Sequence, residues 1–139
     1  MTFEEYQQLA RRTQRKELHM FEMREHALYG LASEVGEVMG LHQKVHQGHP
    51  MDETALRLEI GDVLWFVAEL CDVYGWGLDD IAIANIAKLR NRYPVKFTVE
   101  QSIHREEKKK PVEQPKPKPL PGVSKSRYYT SVKEVKGNA

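Results

Sequence analysis

Residues 52–70 read DETALRLEIGDVLWFVAEL, and the prediction of a helical fold rests first on this segment. Its apolar residues recur at the three- and four-residue spacing of a helix, and Asp52 is a favourable N-cap. Residues 63–68, VLWFVA, are apolar on every side, which predicts a helix buried from several directions. A buried strand is the alternative for this run, but its helical flanks and the lack of a second strand pattern favour the helix.

Three further helical patterns lie around this one. They run from a Thr2–Glu5 capping box to about Lys16, from near Phe21 to the Gly48-His49-Pro50 turn, and from Leu78, after the Gly75-Trp76-Gly77 break, to Pro94. No strand alternation competes with these patterns. The predicted fold class is all-α, with four helices in a bundle.

The composition predicts one globular domain followed by a basic tail. The chain has 139 residues, of which 40% are hydrophobic and 29% are charged, as in a soluble domain of this size. Residues 101–139 hold ten of the 21 Lys and Arg but four of the 20 Asp and Glu, together with five of the seven prolines. We therefore expect an all-α domain over residues 1–100 and a disordered, Lys/Pro-rich tail over residues 101–139.

The tail has three alternative roles. It is either a passive solvated extension, a cationic segment that contacts nucleic acid weakly, or a tether that carries residues 128–135 to a protein partner or to the oligomer's own surface. The sequence alone leaves the three open.

Several protein classes are excluded by the same sequence. No apolar run reaches the 18 or so residues that a membrane span requires, so no membrane contact is expected. The N-terminus, Met1–Glu5, is acidic where a signal peptide is basic. The single cysteine, Cys71, excludes an internal disulfide or a multi-cysteine zinc site and is expected to be inert packing. These features predict a reduced, cytoplasmic setting.

Two pairs of acids share one spacing inside the helical patterns. Glu34 and Glu37, like Glu59 and Asp62, are three residues apart, which places each pair on one helix face. If the chain folds back at the Gly48–Pro50 turn, an antiparallel hairpin brings Glu37 near Glu59 and Glu34 near Asp62, with an offset of only about 3 Å. Four carboxylates therefore converge.

Converging carboxylates require a counter-charge. Oxygen ligands suit a hard divalent cation, so the sequence predicts a Mg²⁺ site at Glu34, Glu37, Glu59 and Asp62, with Mn²⁺ as a substitute. Magnesium in such sites commonly pairs with substrate phosphates. Gly36 and Gly61 are expected to allow close helix approach beside the acids. The alternative is that the acids are surface charges on amphipathic helices.

These motifs resemble those of a known family. The segment from Leu31 to Phe97 is similar to the MazG-like nucleotide pyrophosphohydrolases of the all-α NTP pyrophosphatase superfamily. Its E-x-x-E and E-x-x-D motifs are separated by 21 residues, as in that family, and NIAKLRNRYP at residues 85–94 resembles the family's fourth-helix motif. The tail has no counterpart in the family's core.

The resemblance implies a Mg²⁺-dependent enzyme that hydrolyses a nucleoside triphosphate to the monophosphate and pyrophosphate, in nucleotide-pool control or house-cleaning. It also implies a homodimer or homotetramer. Phosphoribosyl-ATP is an alternative substrate within the superfamily. The rival from another class is a non-enzymatic helical oligomerisation module whose tail binds nucleic acid or a protein.

Roles for single residues follow from the acids and the resemblance together. Glu37 is the candidate general base, with Glu34 beside it in the catalytic pair. Candidates for substrate contact are Asn85, Lys88 and Arg92 on the last helix, Lys44 on the second, and Trp65 as a stacking surface for the base. For the lysines and Arg92 the alternative is ordinary solvation, and for Trp65 it is core packing. His42, His46 and His49 have the spacing of a transition-metal face or of solvated side chains.

Overall fold

The computed structural model describes residues 1–15 and 17–103. All regular secondary structure in these two ranges is helical, which confirms the predicted all-α class. The helices are α1 (Phe3–Ala10), α2 (Met20–His46), α3 (Glu53–Tyr74), α4 (Leu78–Arg92) and the short α5 (Val99–Ile103). The tail roles predicted for residues 104–139 lie outside the described residues.

The chain divides into two compact units, one over Met1–Gly75 and one that begins at Trp76. The first unit contains α1, α2 and α3, and the second contains α4 and α5. The domain boundary predicted after residue 100 falls within α5 and stays a prediction. Within the part of the chain that the structure describes, no helix combines the length and apolar content that a membrane span requires.

Local signals start and stop the helices. Thr2 Oγ1 accepts a hydrogen bond from the Glu5 amide while the Glu5 carboxylate accepts one from the Thr2 amide, which forms the predicted capping box. Asp52 Oδ1 accepts from the Ala55 amide at 2.9 Å and caps α3. Gly75 ends α3 with φ at 69°, a conformation that glycine adopts without a Cβ penalty.

The first helix is shorter than predicted. It ends at Ala10, whereas the polar pattern predicts an end near Lys16. The amides of Arg12 and Thr13 bond to carbonyls three residues back, and Thr13 Oγ1 donates to the Ala10 carbonyl at 2.9 Å, so the chain leaves the α-helical path. The prediction is wrong because side chains after Ala10 bind α3, a contact that local sequence does not reveal.

A single carboxylate anchors this N-terminal segment to α3. Asp72 Oδ1 accepts from Gln7 Nε2 at 2.6 Å and from the Arg11 guanidinium at 2.7 Å, and Asp72 Oδ2 accepts from Gln14 Nε2 at 2.9 Å. The Asp72 side chain is nearly buried, so these charge-assisted hydrogen bonds are shielded from water. The segment from α1 to Gln14 is therefore held against α3 by the Asp72 carboxylate, and Trp65 of α3 adds a hydrogen bond to Thr13.

The main packing contact of the first unit is an antiparallel hairpin of α2 and α3. Gly48, with φ at 96°, turns the chain between the two helices. Gly30 allows their close approach, because a Cβ there would overlap the ring of Phe66. Gly36 and Gly61 do not have the role predicted for them, since a Cβ at either would meet open space.

Few side chains of the described residues are fully buried in the single chain. The buried apolar residues in the described ranges are Ala10, Ala27, Ala68, Cys71, Val73 and Leu78. In the run at residues 63–68, Ala68 is buried and the other five side chains are half-buried. The prediction that this run is buried from several directions is therefore wrong for the single chain.

Candidate functional site

Three of the four predicted acids converge between α2 and α3. Glu34 of α2 and Glu59 and Asp62 of α3 each offer a carboxylate oxygen, and these oxygens lie within 4.8 Å of one another. Glu34 and Glu59 are half-buried, and Asp62 is exposed. The hairpin thus brings Glu34 near Asp62, as the turn at Gly48 predicts, whereas Glu59 joins Glu34 in a group that does not include its predicted neighbour Glu37.

Glu37 is near this group but outside it. It lies one turn after Glu34 on α2 and is exposed to solvent. Its negative charge acts on Glu34, because it contributes to raising the pKa of that carboxyl. The arrangement is three clustered carboxylates with a fourth at the rim.

The surroundings of Glu34 in the cluster disfavour the ionised form of its carboxyl group. Burial raises the pKa of Glu34, and the charges of Asp62, Glu59 and Glu37 raise it further, in that order. Each of these effects penalises the ionised form of Glu34. A bound cation would reverse this penalty, because it favours the carboxylate over the protonated acid.

The donor set fits a hard divalent cation. All three clustered side chains offer carboxylate oxygen, and the described residues contain no other group of three or more His, Cys, Asp or Glu close enough to share an ion. Oxygen donors of this kind suit Mg²⁺ or Mn²⁺, and Mg²⁺ commonly leaves positions open for water and phosphate. The histidines of the predicted transition-metal face do not gather into such a group.

The hairpin contact continues beyond the acids with two further pairs. Gly30 packs against Phe66, and next to them His26 Nδ1 lies 2.9 Å from Glu69 Oε2. The α2 residues follow one another at four-residue intervals up to Glu34, so they share a helix face with the acid. The sequence reasoning missed His26 and Glu69, although this spacing would have indicated them.

A tyrosine from α1 also belongs to the surroundings of the cluster. Burial raises the pKa of the Tyr6 phenol, and the charge of Asp62 raises it further. The phenol therefore stays protonated at neutral pH and is a hydrogen-bond donor within the electrostatic range of Asp62. The polar pattern of α1 carries no signal for this position.

The residues predicted to contact substrate lie on three elements. Trp65 of α3 is half-buried and donates from Nε1 to Thr13 Oγ1 at 2.9 Å, so its indole is fixed in place. Lys44 is exposed near the end of α2. Asn85, Lys88 and Arg92 lie on α4 in the second unit, where the Arg92 guanidinium stands 5.6 Å from the ring centroid of Tyr93. Their roles stay predictions.

Comparison with known proteins adds one finding. The family model for the MazG nucleotide pyrophosphohydrolase domain matches residues 22–97, more than half of the chain, and confirms the resemblance drawn from the motifs. The match includes all four acids and the residues at 85–94. No curated protein and no solved structure matches the chain.

Proposed function

The chain belongs to the MazG nucleotide pyrophosphohydrolase family, and we propose that it hydrolyses nucleoside triphosphates to monophosphates and pyrophosphate with Mg²⁺. The observation that carries the proposal is the cluster of Glu34, Glu59 and Asp62. The ionised form of Glu34 is disfavoured by burial and by the neighbouring acids, and a bound cation would stabilise it. Mg²⁺ in such sites commonly binds substrate phosphates. Nucleotide-pool control or house-cleaning is the corresponding role.

The acids divide the work of the reaction. Glu34, Glu59 and Asp62 would hold the divalent cation, which when bound neutralises charge on the phosphate oxygens. Glu37 is the general base in this proposal, because an exposed carboxylate at the rim can accept the proton of an attacking water. The water oxygen forms a bond to phosphorus while the α–β anhydride bond breaks, and pyrophosphate leaves. Glu34 lies one turn before Glu37 on the same face of α2 and is the second carboxylate of the proposed catalytic pair.

Substrate contacts are proposed for five further residues. Lys88 and Arg92 stand four residues apart on α4, and their cations suit phosphate oxygens. Asn85 lies one turn earlier and offers an amide. Lys44 would reach the phosphates from α2, and Trp65 would offer an aromatic face to the base.

We also propose that the protein works as a homodimer or homotetramer. The outer α2 stripe, defined as Leu28, Ala32, Val35 and Met39, has the four-three-four spacing of a helix–helix seam. Leu28, Val35 and Met39 are 45%, 43% and 66% exposed in the single chain. A second copy of the chain would remove this apolar surface from water.

The test is product analysis with a panel of NTPs, dNTPs and phosphoribosyl-ATP in the presence of Mg²⁺. We expect monophosphate and pyrophosphate in equal amounts, and loss of both with a chelator. Glu59→Gln should lower kcat/KM by at least about 100-fold, because it removes a charged ligand without changing shape.

The matched control is Glu53→Gln. Glu53 is on the same helix, but its side chain is 78% exposed and pairs with Arg57 across one helical turn. This variant should keep full activity. Turnover that survives the chelator, or Glu59→Gln that is as active as Glu53→Gln, would overturn the proposal, and inactivity of the wild type on the whole panel would favour the oligomerisation module.

A further inference from the structure

One polar pair in the first unit, of which one member is buried, has no part in the proposed hydrolysis. Glu69 of α3 is 1% exposed, and its Oε2 lies 2.9 Å from Nδ1 of His26 on α2. The His26 side chain is 37% exposed. The pair therefore joins a carboxylate in the interior to an imidazole that reaches the surface.

The pair is not expected to increase the stability of the fold over an apolar pair at the same positions. Burying a carboxylate costs free energy even when it is paired, and apolar replacements of buried ion pairs are often neutral or stabilising. A buried carboxylate does, however, fix the orientation and tautomer of an imidazole that donates to it. With Nδ1 directed at Glu69, the Nε2 edge of His26 faces the opposite way, as the geometry of the ring requires.

Two aromatic side chains surround the imidazole. The centroid of the His26 ring lies 5.6 Å from that of Phe66 and 6.5 Å from that of Trp65, and the last two rings meet edge to face at 4.8 Å. Trp65 is held by its hydrogen bond to Thr13, and Phe66 is held against Gly30. A fixed hydrogen-bonding edge among apolar rings is typical of a site for a small aromatic ligand.

The distance from the acids matches the length of a nucleotide. His26 precedes Glu34 by eight residues on the same face of α2, which corresponds to about 12 Å along the helix. The α-phosphorus of a nucleoside triphosphate and the far edge of its base are joined by about ten covalent bonds, which span roughly 10 Å in an extended conformer. Phosphates at the acid cluster would therefore leave the base near His26.

We propose that His26 is a specificity-determining residue whose Nε2 hydrogen bonds to the nucleobase, and that Glu69 is the positioning residue that holds the imidazole for this contact. This inference rests on the proposed function and extends it to the base. It assigns recognition of the base to the α2–α3 hairpin, two helical turns from the acids. Phe66 and Trp65, whose rings lie beside the imidazole, would offer apolar surface to the base.

The test uses two substitutions that separate the two nitrogens of His26. His26→Asn retains a donor near the Nδ1 position for Glu69 but removes Nε2, whereas His26→Gln places an amide near the Nε2 position. Steady-state kcat and KM are measured for each base of the dNTP panel, and Mn²⁺ affinity is measured calorimetrically. His46→Asn, at the end of the same helix, is the matched control.

We expect His26→Asn to lower kcat/KM for the preferred dNTP by about tenfold or more, mainly through KM, and to reduce the discrimination between bases. His26→Gln should recover part of that discrimination. Glu69→Gln, which keeps the shape of the side chain but weakens its hold on the imidazole, should give an intermediate loss. Mn²⁺ affinity should stay at the wild-type value in all three variants, and His46→Asn should match the wild type throughout.

Other outcomes separate this inference from the proposed function. An active, folded His26→Asn with the wild-type order of base preference would overturn the role of His26 and leave the proposed hydrolysis intact. A parallel fall in melting temperature and Mn²⁺ affinity, with unchanged discrimination, would assign the pair a structural role only. A wild-type chain that hydrolyses no nucleotide would overturn both proposals.

Discussion

Carboxylates of the first unit have different roles at the scale of single residues, and their surroundings distinguish them. Asp72 accepts three hydrogen bonds and anchors α1, while Glu69 is buried with an imidazole. Glu34 instead faces three other acids, and burial together with these charges raises its pKa. A carboxylate whose ionised form is disfavoured by its neighbours is the one that gains most from a cation.

Gly30 allows a prediction about packing. Gly30→Ala should destabilise the protein by about 1–3 kcal/mol, because the added Cβ overlaps the Phe66 ring and forces it out of the helix contact. The measurement is the midpoint of urea unfolding followed by circular dichroism.

Gly61→Ala is the control for this substitution. A Cβ at Gly61 meets open space, so the change should stabilise α3 by about 0.5–1 kcal/mol through helix propensity. Equal shifts in the same direction for the two variants would contradict the packing role of Gly30.

Cys71 allows a prediction about pH. Burial raises the pKa of its thiol to about 11, and the charge of Asp72 adds to the shift. Below that value the thiol is neutral, so native protein at pH 8 should react slowly with a disulfide reagent, and the rate should rise with pH toward 11 or on addition of urea. Rapid modification of the native protein at pH 8 would show that Cys71 is accessible as a thiolate.

At the scale of elements, the first unit is organised by the α2–α3 hairpin and by the contacts of the α1 segment with Asp72 and Trp65 of α3. Three residues at four-residue spacing lie on one face of α2. Glu34 lies near the acids of α3, Gly30 contacts Phe66, and His26 contacts Glu69. The same face thus carries the proposed cation site at one level and the proposed base contact two turns away. Rigid helices set the distance between them.

The sequence predicts the parts of this arrangement that local chemistry determines. Thr2, Asp52 and Gly75 cap or end their helices through neighbours within a few residues, so the local sequence pattern indicates them. The hairpin register follows from one turn, which is why the meeting of Glu34 with Asp62 is also predictable. The contacts of Asp72 join residues more than 50 apart in the sequence, and no single pattern points to them.

The sequence pattern also does not reveal which glycine lies at the close contact between α2 and α3. Gly36 and Gly61 are predicted to allow close helix approach because each lies between two acids, whereas Gly30 is the glycine at the close contact. Which helix face meets a neighbour at short range depends on the large side chain opposite, here Phe66. A glycine in one helix does not reveal that partner.

The anchor of α1 gives a prediction for a whole element. Asp72→Asn removes the charge that Gln7, Arg11 and Gln14 share, which should cost about 1–3 kcal/mol in the docking of α1. Trypsin cleavage after Arg11 and Arg12 should become about tenfold faster as local opening becomes easier.

Glu53→Gln serves as the control, because it changes an exposed acid on the same helix. It should leave the cleavage rate at the wild-type value. If Asp72→Asn is as resistant to trypsin as the wild type, the anchor is not what holds α1.

At the scale of the whole molecule, the single chain leaves much apolar surface in contact with water. Besides the outer α2 stripe, large apolar side chains of the second unit are exposed, among them Ile83 at 64% and Ile86 at 47%. Isolated exposed apolar residues are ordinary, but a regular row along a helix is typical of an interface. This surface supports the proposed homo-oligomer.

Met39→Glu tests the oligomer. A charge in place of the most exposed large side chain of the outer α2 stripe should raise the dissociation constant of the oligomer by at least about tenfold, because a buried unpaired carboxylate costs several kcal/mol. Sedimentation velocity over a range of concentrations gives the species present. Ser33→Glu, an exposed position of α2 off the stripe, should stay assembled, and assembly of both variants would exclude α2 from the interface.

We propose that acids of α2 and α3 form one cation site that acts with a nucleotide. Calorimetric titration of Mg²⁺ into the full chain with a non-hydrolysable nucleoside triphosphate analogue tests it most directly. We predict saturable binding for the wild type and for Glu53→Gln, and none for Asp62→Asn combined with Glu34→Gln. Equal binding heat in that double variant and the wild type would show that Glu34 and Asp62 do not hold the cation.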